Sequence, residues 1–484
     1  MHVHLIGVSG TGMGSLAMLF REAGHEVSGS DGAFDAPMGP ALRTAGVKCF
    51  TGFAASNLES KPDLVIVGNA IRKDNTEALA TIERDLPRTS MSAALREHFL
   101  VGRRPLVVAG THGKTTTSAM AAWLLASAGM DPGYFIGGLP KNFPSGAAIG
   151  STRKSLVAGH VRAPFVVEGD EYDAVYWHKQ PKFLDYIGIG DDDVVMITSV
   201  EHDHIDIYPS SAAYDAAFAT FVQRVPEGGL IVVDAKNRHA VGIVQEHARA
   251  RIAFYALEGD DTGDVTPSWL GAMSTIDDVG MQAFDLFAGG VSCGRYAMPV
   301  PGAHNVRNAV GAIAACAEGF GADVSGTKRA LATFTGVRRR QDLLGEPRGI
   351  RIYDDFAHHP TAVRETLRAL RAKHPKGALF AIFEPRSATA VRNLHQTDYV
   401  DAFAGADRVL FAPLGRANVP EAERLDLGKL ARDIGTKAET FAGVDAIVAC
   451  LTRDAKPGDT LVLLSNGAFG GVREKLLRAL AELA

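Results

Sequence analysis

The sequence predicts an α/β protein whose mostly parallel sheets are covered by helices. Short β-branched runs that end in turn residues recur along the chain, and most are apolar on both faces, for example residues 194–199 and 460–466. Between many of them lie segments with helical periodicity, for example residues 115–128, 305–319 and 362–373. Strands that are buried on both faces and alternate with helices are typical of parallel sheets.

The length and two breaks in the sequence predict three domains. A chain of 484 residues has room for roughly three domains of about 100–200 residues each. Residues 102–105 (Gly-Arg-Arg-Pro) separate a helical segment from a new strand, and the basic segment 336–345 separates another helix from the strand before Asp354. The expected domains are residues 1–104, 105–340 and 341–484.

The composition excludes several classes of protein. With 46% hydrophobic and 22% charged residues, the chain has the balance of a globular protein and not of a disordered one. The formal net charge is -5 and no long block of like charges occurs, so neither a nucleic acid nor a membrane surface is expected as a partner. No run of about 18 apolar residues occurs, and the four cysteines fit no CxxC metal pattern. These features predict a cytoplasmic protein that holds any anionic ligand locally.

The strongest motif is a strand, a glycine turn and a helix start in residues 106–117, LVVAGTHGKTTT. Such a turn points backbone N–H groups and the positive end of the helix dipole at one place, and Lys114 adds a charge, so we expect a cradle for the phosphates of ATP. Thr115 is placed to give a hydroxyl ligand to nucleotide-bound Mg²⁺. The alternative is a lysine that only caps a structural turn, because Val108 stands where a strict Walker A motif has glycine. The predicted ATP-binding residues of this turn are Gly110, Thr111, His112, Gly113, Lys114, Thr115 and Thr116.

Two polar segments that follow buried strands predict a metal site. Residues 165–173 carry four carboxylates within six residues, a density of like charge that a cation would offset, although a solvated acidic loop is the alternative. Residues 201–206, EHDHID, contain an HxHxD pattern, which begins the dinuclear site of metallo-β-lactamase-like hydrolases. That site needs a further histidine where this chain has Ile207, so we favour Mg²⁺, with a purely structural histidine pair as the other alternative. The predicted metal ligands are Thr115, Glu168 and His204.

Two segments further along the chain predict additional contacts with a nucleotide. Asn305 and Asn308 are three residues apart and share one helix face, where their amides can bond a base or a phosphate. A helix cap with a polar face is the alternative interpretation. Asp355 and His358 follow the strand at residues 350–353, at the strand end where α/β proteins place ligands, and a carboxylate there can accept from ribose hydroxyls.

The N-terminal segment GVSGTGMG is another strand, glycine turn and helix start. A dinucleotide fingerprint has the order GxGxxG directly after the strand, whereas this segment has GxxGxG, so an NAD-dependent oxidoreductase is disfavoured. A diphosphate on the helix N-terminus is still expected, with the next strand end reaching the ribose or base. The predicted binding residues are Gly7, Ser9, Gly10, Thr11, Gly12, Met13, Ser30 and Asp31.

Taken in order, these segments resemble the Mur ligases, the ATP-dependent amide-forming enzymes of peptidoglycan assembly. The resemblance covers essentially the whole chain. Within the family, the segments are similar to the branch that binds UDP-N-acetylmuramate, and EPRSAT and LSNGAFGG are similar to members that ligate a tripeptide. The motifs that carry the resemblance are GVSGTGMG, AGTHGKTTT, EGDEYD, EHDHID, PGAHNVRNA, GVRRRQ and DDFAHHP.

The resemblance implies a role for each expected domain. The first is a UDP-sugar-binding Rossmann-like domain, the second a P-loop ATPase, and the third a Rossmann-like domain that binds the amine substrate and closes on ATP. From the third domain, Arg340 and Asp355 are expected to bind ATP. Many relatives carry a carbamylated lysine on the helix after the histidine motif, but residues 212–225 contain no lysine. The metal site is therefore expected to depend on Glu168, His204 and the nucleotide.

The activity implied by the resemblance is ligation of UDP-N-acetylmuramate to the tripeptide L-alanyl-γ-D-glutamyl-meso-diaminopimelate, through an acyl phosphate, in peptidoglycan recycling. Ligation to L-alanine is the alternative within the branch. Mg²⁺ is the implied cofactor and ATP the co-substrate, and a monomer or weak homodimer is expected. Because the glycine turn is expected to be exposed, Lys114→Ala should abolish ATP turnover and leave the fold intact. The expected catalytic residues are Lys114, Glu168 and His204, and the expected peptide-binding residues are Arg386, Ser465 and Asn466.

Overall fold

A computed structural model of the chain describes residues 1–151, 162–416 and 419–482. Within these residues the strands form three main sheets that follow one another along the chain. Most strand pairs are parallel, and the helices between them cover the sheets, so the predicted α/β class is confirmed. No helix in the described part of the chain combines the length and the apolar character needed to cross a membrane.

The first sheet has the strand order β3-β2-β1-β4-β5, and its strand pairs are parallel. The central strand pairs on both sides, for example through Val3 with Val27 and with Leu64. Its central strand is buried over most of its length, as expected of a strand with a parallel neighbour on each side. Its elements are β1 (His2–Ile6), α1 (Thr11–Glu22), β2 (Glu26–Asp31), α2 (Met38–Thr44), β3 (Lys48–Thr51), β4 (Leu64–Val67), α3 (Thr76–Glu83), β5 (Arg88–Ser90) and α4 (Met91–Leu95).

The second sheet is the largest. Its elements are β6 (Arg104–Ala109), α5 (Lys114–Ser127), β7 (Gly133–Phe135), β8 (Ala147–Ala148), β9 (Pro164–Glu168), β10 (Asp173–Val175), β11 (His178–Pro181), β12 (Val194–Ile197), α6 (Ser211–Gln223), β13 (Leu230–Asp234), α7 (Arg238–His247), β14 (Arg251–Leu257), β15 (Trp269–Ile276), β16 (Gln282–Ala288), β17 (Val291–Met298), α8 (Ala303–Phe320) and α9 (Val324–Ala332). The strand order is β17-β16-β15-β14-β13-β12-β6-β9-β7-β8, parallel from β15 to β7 and antiparallel at both edges, while β10 and β11 form a separate hairpin.

The order of the central strands determines where the predicted motifs meet. Strand β6 lies between β12 and β9, with Ala109 paired to Ile197 and Val108 paired to Glu168. The carboxyl ends of parallel strands share one edge of a sheet. The glycine turn after β6, the acidic cluster after β9 and the histidine motif after β12 therefore lie side by side.

The third sheet has the strand order β18-β19-β23-β20-β21-β22, parallel except for the pair of β18 with β19. Strands β19, β23 and β20 are adjacent, so the segments that follow Asp355, Leu464 and Phe383 share one edge. Its elements are β18 (Asp342–Gly345), β19 (Arg351–Asp355), α10 (Pro360–Lys373), β20 (Leu379–Phe383), α11 (Asp398–Ala402), β21 (Arg408–Phe411), α12 (Leu427–Ile434), β22 (Ala438–Thr440), α13 (Val444–Asp454), β23 (Thr460–Leu464) and α14 (Val472–Ala481).

The apolar cores show how the three sheets are connected. Buried residues of the first and second sheets form one continuous cluster, which joins Phe20 and Leu95 to Phe135 and Phe165. The third sheet has separate clusters on its two faces. Apolar burial therefore fixes the first sheet on the second. Links between the second and third sheets include polar contacts, such as the ion pair of Lys141 with buried Asp342 (2.8 Å).

Candidate active site

The glycine turn between β6 and α5 depends on two glycines. Gly110 has φ +131° and Gly113 has φ +80°, in the region that favours glycine. A Cβ at Gly110 would collide with the Thr198 hydroxyl, and one at Gly113 would lie 2.7 Å from Oδ1 of Asn308. The turn is therefore packed between the β12 loop and helix α8, and its backbone N–H groups precede the N-terminus of a 14-residue helix.

Lys114 is largely buried and paired with Glu171. Its Nζ donates to the carbonyl oxygen of Gly110 (2.6 Å) and to Oε1 of Glu171 (2.9 Å). Burial alone would lower the pKa of Lys114, but the nearby carboxylates, Glu171 first, outweigh it and raise the pKa. The side chain is only 14% exposed, so the expectation of an exposed lysine is wrong. The reason is that the acidic cluster folds over the turn, which the sequence of the turn does not show.

Thr115 and Glu168 are in direct contact, as expected if both bind the same metal ion. The Thr115 hydroxyl donates to Oε1 of Glu168 (2.7 Å), and the backbone N–H of Gly137 donates to Oε2 (2.7 Å). Burial raises the pKa of Glu168. Arg340 reaches the same hydroxyl, with 3.2 Å between its Nη2 and Thr115 Oγ1. One threonine of the turn thus contacts both a predicted metal ligand and an arginine that precedes the third sheet.

His204 contacts Glu171, a residue that the sequence singled out only as part of the acidic cluster. Oε1 of Glu171 accepts from Lys114 and lies 2.9 Å from Nε2 of His204. Burial would raise the pKa of Glu171, but Lys114 and His204 lower it; burial would lower the pKa of His204, but Glu171 raises it. The other oxygen, Oε2 of Glu171, is buried and has no hydrogen-bond partner among the described residues. The four carboxylates of residues 168–173 were the signal that could have identified Glu171.

The two histidines of the HxHxD segment face different partners. Nε2 of His202 lies 2.9 Å from the carbonyl oxygen of Tyr208, whereas His204 contacts Glu171 and the Tyr172 hydroxyl. A dinuclear hydrolase site requires both imidazoles to face the same metal pair. The local geometry therefore does not favour the hydrolase.

A cavity of about 390 Å³ lies between the second and third sheets. Predicted ATP-binding residues on its wall are His112, Gly113, Thr116, Asn305, Asn308, Arg340 and Asp355. Both oxygens of Asp355 accept from backbone N–H groups, those of Gln341 and Ala357 at 2.7 Å each, and burial raises its pKa. His358 is half-buried and is not among the described residues on this wall; burial lowers its pKa, and its Nδ1 lies 3.0 Å from the carbonyl oxygen of Phe356.

The sequence did not identify several residues on the wall of this cavity. Lys236 and Arg307 add positive charge, and Thr361 and Glu201 come from opposite sides of it. Arg307 forms ion pairs with Asp234 and Asp260, both buried. The spacing of Asn305 and Asn308 predicted which helix face contacts the ligand. It did not identify Arg307, which lies between them in sequence.

A second cavity, of about 830 Å³, lies at the carboxyl edge of the first sheet. Predicted UDP-sugar-binding residues on its wall are Gly7, Ser9, Gly10, Thr11, Gly12, Met13 and Asp31. Oδ2 of Asp31 accepts from the backbone N–H of Ser9 (2.8 Å), which ties the second strand end to the glycine turn. Ser30 is fully buried and is not among the described residues that line the cavity.

Residues of the acidic segment 165–173 also line this second cavity, a contact that the sequence did not predict. Asp170, Tyr172 and Lys182 lie on its wall. Nζ of Lys182 is 2.6 Å from Oδ2 of Asp170, and burial, which would raise the Asp170 pKa, is outweighed by Lys182, so that the pKa is about 2. Asp170 precedes Glu171, which holds Lys114. The cavity therefore extends from the first glycine turn towards the second one.

Arg386 follows β20 and is half-buried. Its stem packs against Gly415 and Gly467, where a Cβ at Gly467 would collide with it. Among the described residues its guanidinium makes no hydrogen bond or ion pair. The Ser465 hydroxyl is fully buried and donates to Oε2 of Glu384 (2.5 Å), while Oδ1 of Asn466 is buried without a partner in the described part of the chain.

A buried hydrogen bond joins the Arg386 loop to the histidine motif. The Thr389 hydroxyl donates to Oδ1 of Asp203 (2.6 Å), and both side chains are buried. Asp203 also accepts from the backbone N–H of His204 (2.7 Å). The loop after β20 is thus tied to the loop that carries His204.

Three family models together match most of the chain. The Mur ligase family catalytic domain matches residues 2–101, the Mur ligase middle domain residues 108–316, and the Mur ligase glutamate ligase domain residues 339–467. The chain belongs to the Mur ligase family. As a Mur ligase, it is an ATP-dependent enzyme that forms an amide bond. The family resemblance drawn from the motifs is confirmed, and it replaces the hydrolase and oxidoreductase alternatives.

Similar proteins are known over the full length of this Mur ligase. It is 36% identical over 490 residues to the UDP-N-acetylmuramate–L-alanyl-gamma-D-glutamyl-meso-2,6-diaminoheptandioate ligase of Escherichia coli (strain K12), covering 100% of this chain and 99% of that protein. A crystal structure of a murein peptide ligase from Psychrobacter arcticus 273-4 has a TM-score of 0.74 and 31% identity, covering 100% and 99% of the two chains. A UDP-N-acetylmuramate–L-alanine ligase of Roseiflexus castenholzii is 33% identical over 505 residues, covering 100% and 98%.

Proposed function

We propose that this Mur ligase joins the carboxylate of UDP-N-acetylmuramate to the amine of L-alanyl-γ-D-glutamyl-meso-diaminopimelate. One observation carries the proposal: each of the two cavities borders residues that are linked through the contact between Glu171 and Lys114. Asp170 lies on the wall of the first-sheet cavity, and the adjacent Glu171 holds Lys114 of the turn that borders the other cavity. A sugar carboxylate in one cavity and the ATP γ-phosphate in the other would meet there.

The reaction needs two bond exchanges. The γ-phosphoryl group passes from ATP to an oxygen of the muramyl carboxylate, which gives an acyl phosphate and ADP. The amine nitrogen then bonds to the carbonyl carbon, phosphate leaves with its oxygen, and the nitrogen loses a proton. Lys114 and the N–H groups of the turn are suited to bind the transferred phosphoryl oxygens. Arg340, which contacts Thr115, neutralises charge from the third-sheet side and helps to exclude water from the acyl phosphate.

The side chains at this segment fit Mg²⁺. Thr115 and Glu168 offer oxygen donors 2.7 Å apart, and the buried Oε2 of Glu171 lacks a partner among the described residues. Oxygen donors are what Mg²⁺ prefers, and His204 adjoins the same carboxylate. When bound there, Mg²⁺ would neutralise phosphate charge. We expect Glu168→Gln to weaken activity and raise the Mg²⁺ concentration needed for half-maximal rate, with Glu258→Gln as a remote control. An unchanged Mg²⁺ requirement would argue against this site.

We propose that residues 1–104, 105–340 and 341–484 form three domains, each of which binds a different substrate. The first would hold the UDP-sugar through residues 7–13 and Asp31, the second ATP through residues 110–116, and the third the amine substrate. Support comes from the three sheets and the two cavities at their edges. A cytoplasmic location and a monomeric or weakly dimeric state stay predictions.

The choice of tripeptide over L-alanine is supported by two observations. The Escherichia coli relative, 36% identical over the whole chain, is named for the tripeptide, and Arg386 presents a guanidinium free of partners within the described residues. One carboxylate of a peptide that carries several can bind this guanidinium, because guanidinium binds carboxylate in a fork. L-alanine has a single carboxylate and does not need an additional cation.

Phosphate release with UDP-N-acetylmuramate and ATP tests this choice. We expect a higher kcat/KM with the tripeptide than with L-alanine, and a product whose mass equals the sum of both substrates less water. An N-acetylated tripeptide is the matched control and should give no amide product. A higher kcat/KM with L-alanine would make the chain an L-alanine ligase.

A further inference from the structure

Three potential metal ligands gather where the second and third sheets meet. They are His112 in the glycine turn, Glu201 in the loop after β12, and His359, the residue that caps helix α10. One ligand atom from each lies within 4.8 Å of the others. The His112 and Glu201 pair is closest, with 2.9 Å between Nε2 and Oε2. None of the three belongs to the proposed Mg²⁺ ligands.

We propose that His112, Glu201 and His359 form a binding site for Zn²⁺ or a similar transition-metal ion, which links the second sheet to the third. Two imidazole nitrogens and one carboxylate are a frequent ligand set for Zn²⁺, and a solvent molecule completes the tetrahedron. Mg²⁺ prefers oxygen ligands in an octahedron, so the two ions would select different sites.

The distances fit this assignment. With bonds of about 2.0–2.2 Å, tetrahedral ligand atoms lie roughly 3.4 Å apart. His112 and Glu201 are already closer than that, and the remaining separations, at most 4.8 Å, exceed it by about 1.4 Å or less. Rotation of exposed or half-buried side chains covers such a difference without a change in the backbone.

The protonation states also suit a metal. Burial lowers the pKa of His359 to about 3, so its imidazole is neutral near pH 7 and keeps a lone pair. Burial alone would raise the pKa of Glu201, but His112 outweighs it and the pKa is about 2, so this carboxylate is ionised. Neutral imidazole and ionised carboxylate are the forms that bind metal ions.

The position of the site suggests a regulatory effect of the metal. His112 and Glu201 lie on the wall of the 390 Å³ cavity, and Thr361, two residues after His359 at the start of α10, donates to Oε2 of Glu201 (3.3 Å). A metal that binds both sides at once would hold the two sheets together. Opening of the cavity would become slower, so Zn²⁺ would inhibit turnover by retarding nucleotide exchange.

Calorimetric titration of the full-length protein with Zn²⁺, at saturating Mg²⁺ and near neutral pH, tests the site. We expect one Zn²⁺ per chain and at least a tenfold loss of affinity in His359→Asn. Asparagine is a good helix N-cap, so this variant removes the imidazole and keeps the start of α10. The matched control is His395→Asn, because the His395 ring packs against His359 at 4.7 Å between centroids but is outside the group.

Co²⁺ provides a second readout that does not depend on the ligation reaction. Its visible d–d bands should show tetrahedral coordination in the wild type and in His395→Asn, and should be lost in His359→Asn. The proposal is overturned if the wild type binds no Zn²⁺ beyond the Mg²⁺ sites, or if His359→Asn binds it as tightly as the wild type. Neither result would bear on the proposed amide ligation.

Discussion

Replacing Lys114 with alanine should destabilise the second sheet as well as stop the reaction. The substitution leaves Glu171, whose side chain is only 1% exposed, without its ammonium partner. Breaking a buried ion pair costs about 3–5 kcal/mol. We expect the lower end, about 3 kcal/mol, because His204 stays at 2.9 Å from the same oxygen.

Tryptophan fluorescence can follow this loss of stability in the part of the chain that contains the second sheet. The chain has three tryptophans, Trp123, Trp177 and Trp269, and all lie within residues 105–340. For a unit of roughly 150–250 residues, 1 kcal/mol shifts Tm by about 2–4 °C, so the fluorescence Tm should fall by about 6–12 °C. ADP formation should be lost in the same variant.

Two further variants separate the buried charge from other effects. Lys114→Ala with Glu171→Gln removes both charges and should recover most of the lost Tm while ADP formation stays absent. Lys236→Ala is the control: Lys236 is 59% exposed and its partner Asp260 keeps Arg307, so its Tm should change by about 2 °C or less. The reasoning is refuted if Lys114→Ala melts within 2 °C of the wild type, or if Glu171→Gln does not restore it.

Three other predictions test the remaining contacts. Thr389→Val removes a bond to the buried carboxylate of Asp203, which costs about 1.5–3 kcal/mol and should lower kcat by about 10–150-fold, whereas Thr389→Ser should be near wild type in the same assay. Arg386→Ala should raise the KM for the tripeptide at least tenfold with the KM for ATP unchanged; equal KM values for the peptide would reject the assignment. Since Lys182 depresses the Asp170 pKa to about 2, against burial, their pair stabilises the fold above about pH 4 and is lost as the pH falls towards 2. Between pH 5 and pH 3 the wild-type Tm should therefore fall further than that of Asp170→Asn, by about 1–2 °C after allowance for the exposure of Asp170, and parallel curves would contradict this.

Much of the site could be predicted from the sequence because its parts are local. A β-branched run followed by glycines and a helix specifies the turn at residues 110–116, where Gly110 and Gly113 adopt positive φ. The same local pattern identified the turn at residues 7–14, whose members line the cavity at the first sheet. The motifs also carry the family, and the α/β class follows from strands buried on both faces.

Which side chains of the site contact each other could not be predicted, because these contacts join segments that are distant in sequence. The sequence grouped His204 with Glu168, but the structure places Glu171 between Lys114 and His204 and leaves Glu168 with Thr115. The strand order β12-β6-β9 brings both loops beside the glycine turn, and which carboxylate contacts which side chain depends on how these loops pack together.

The sequence by itself determined the fold class, the two glycine turns and the family, because these depend on neighbours along the chain and on the period of burial. Only the tertiary structure decided that Lys114 is largely covered, that Ser30 and Ser465 are buried, and which residues join the second and third sheets. Thr389 and Asp203 are 186 residues apart in sequence, yet their side chains meet at 2.6 Å. Such a contact exists only after separate sheets have docked, and hydrophobic periodicity specifies which face of a strand is buried but not what is packed against it.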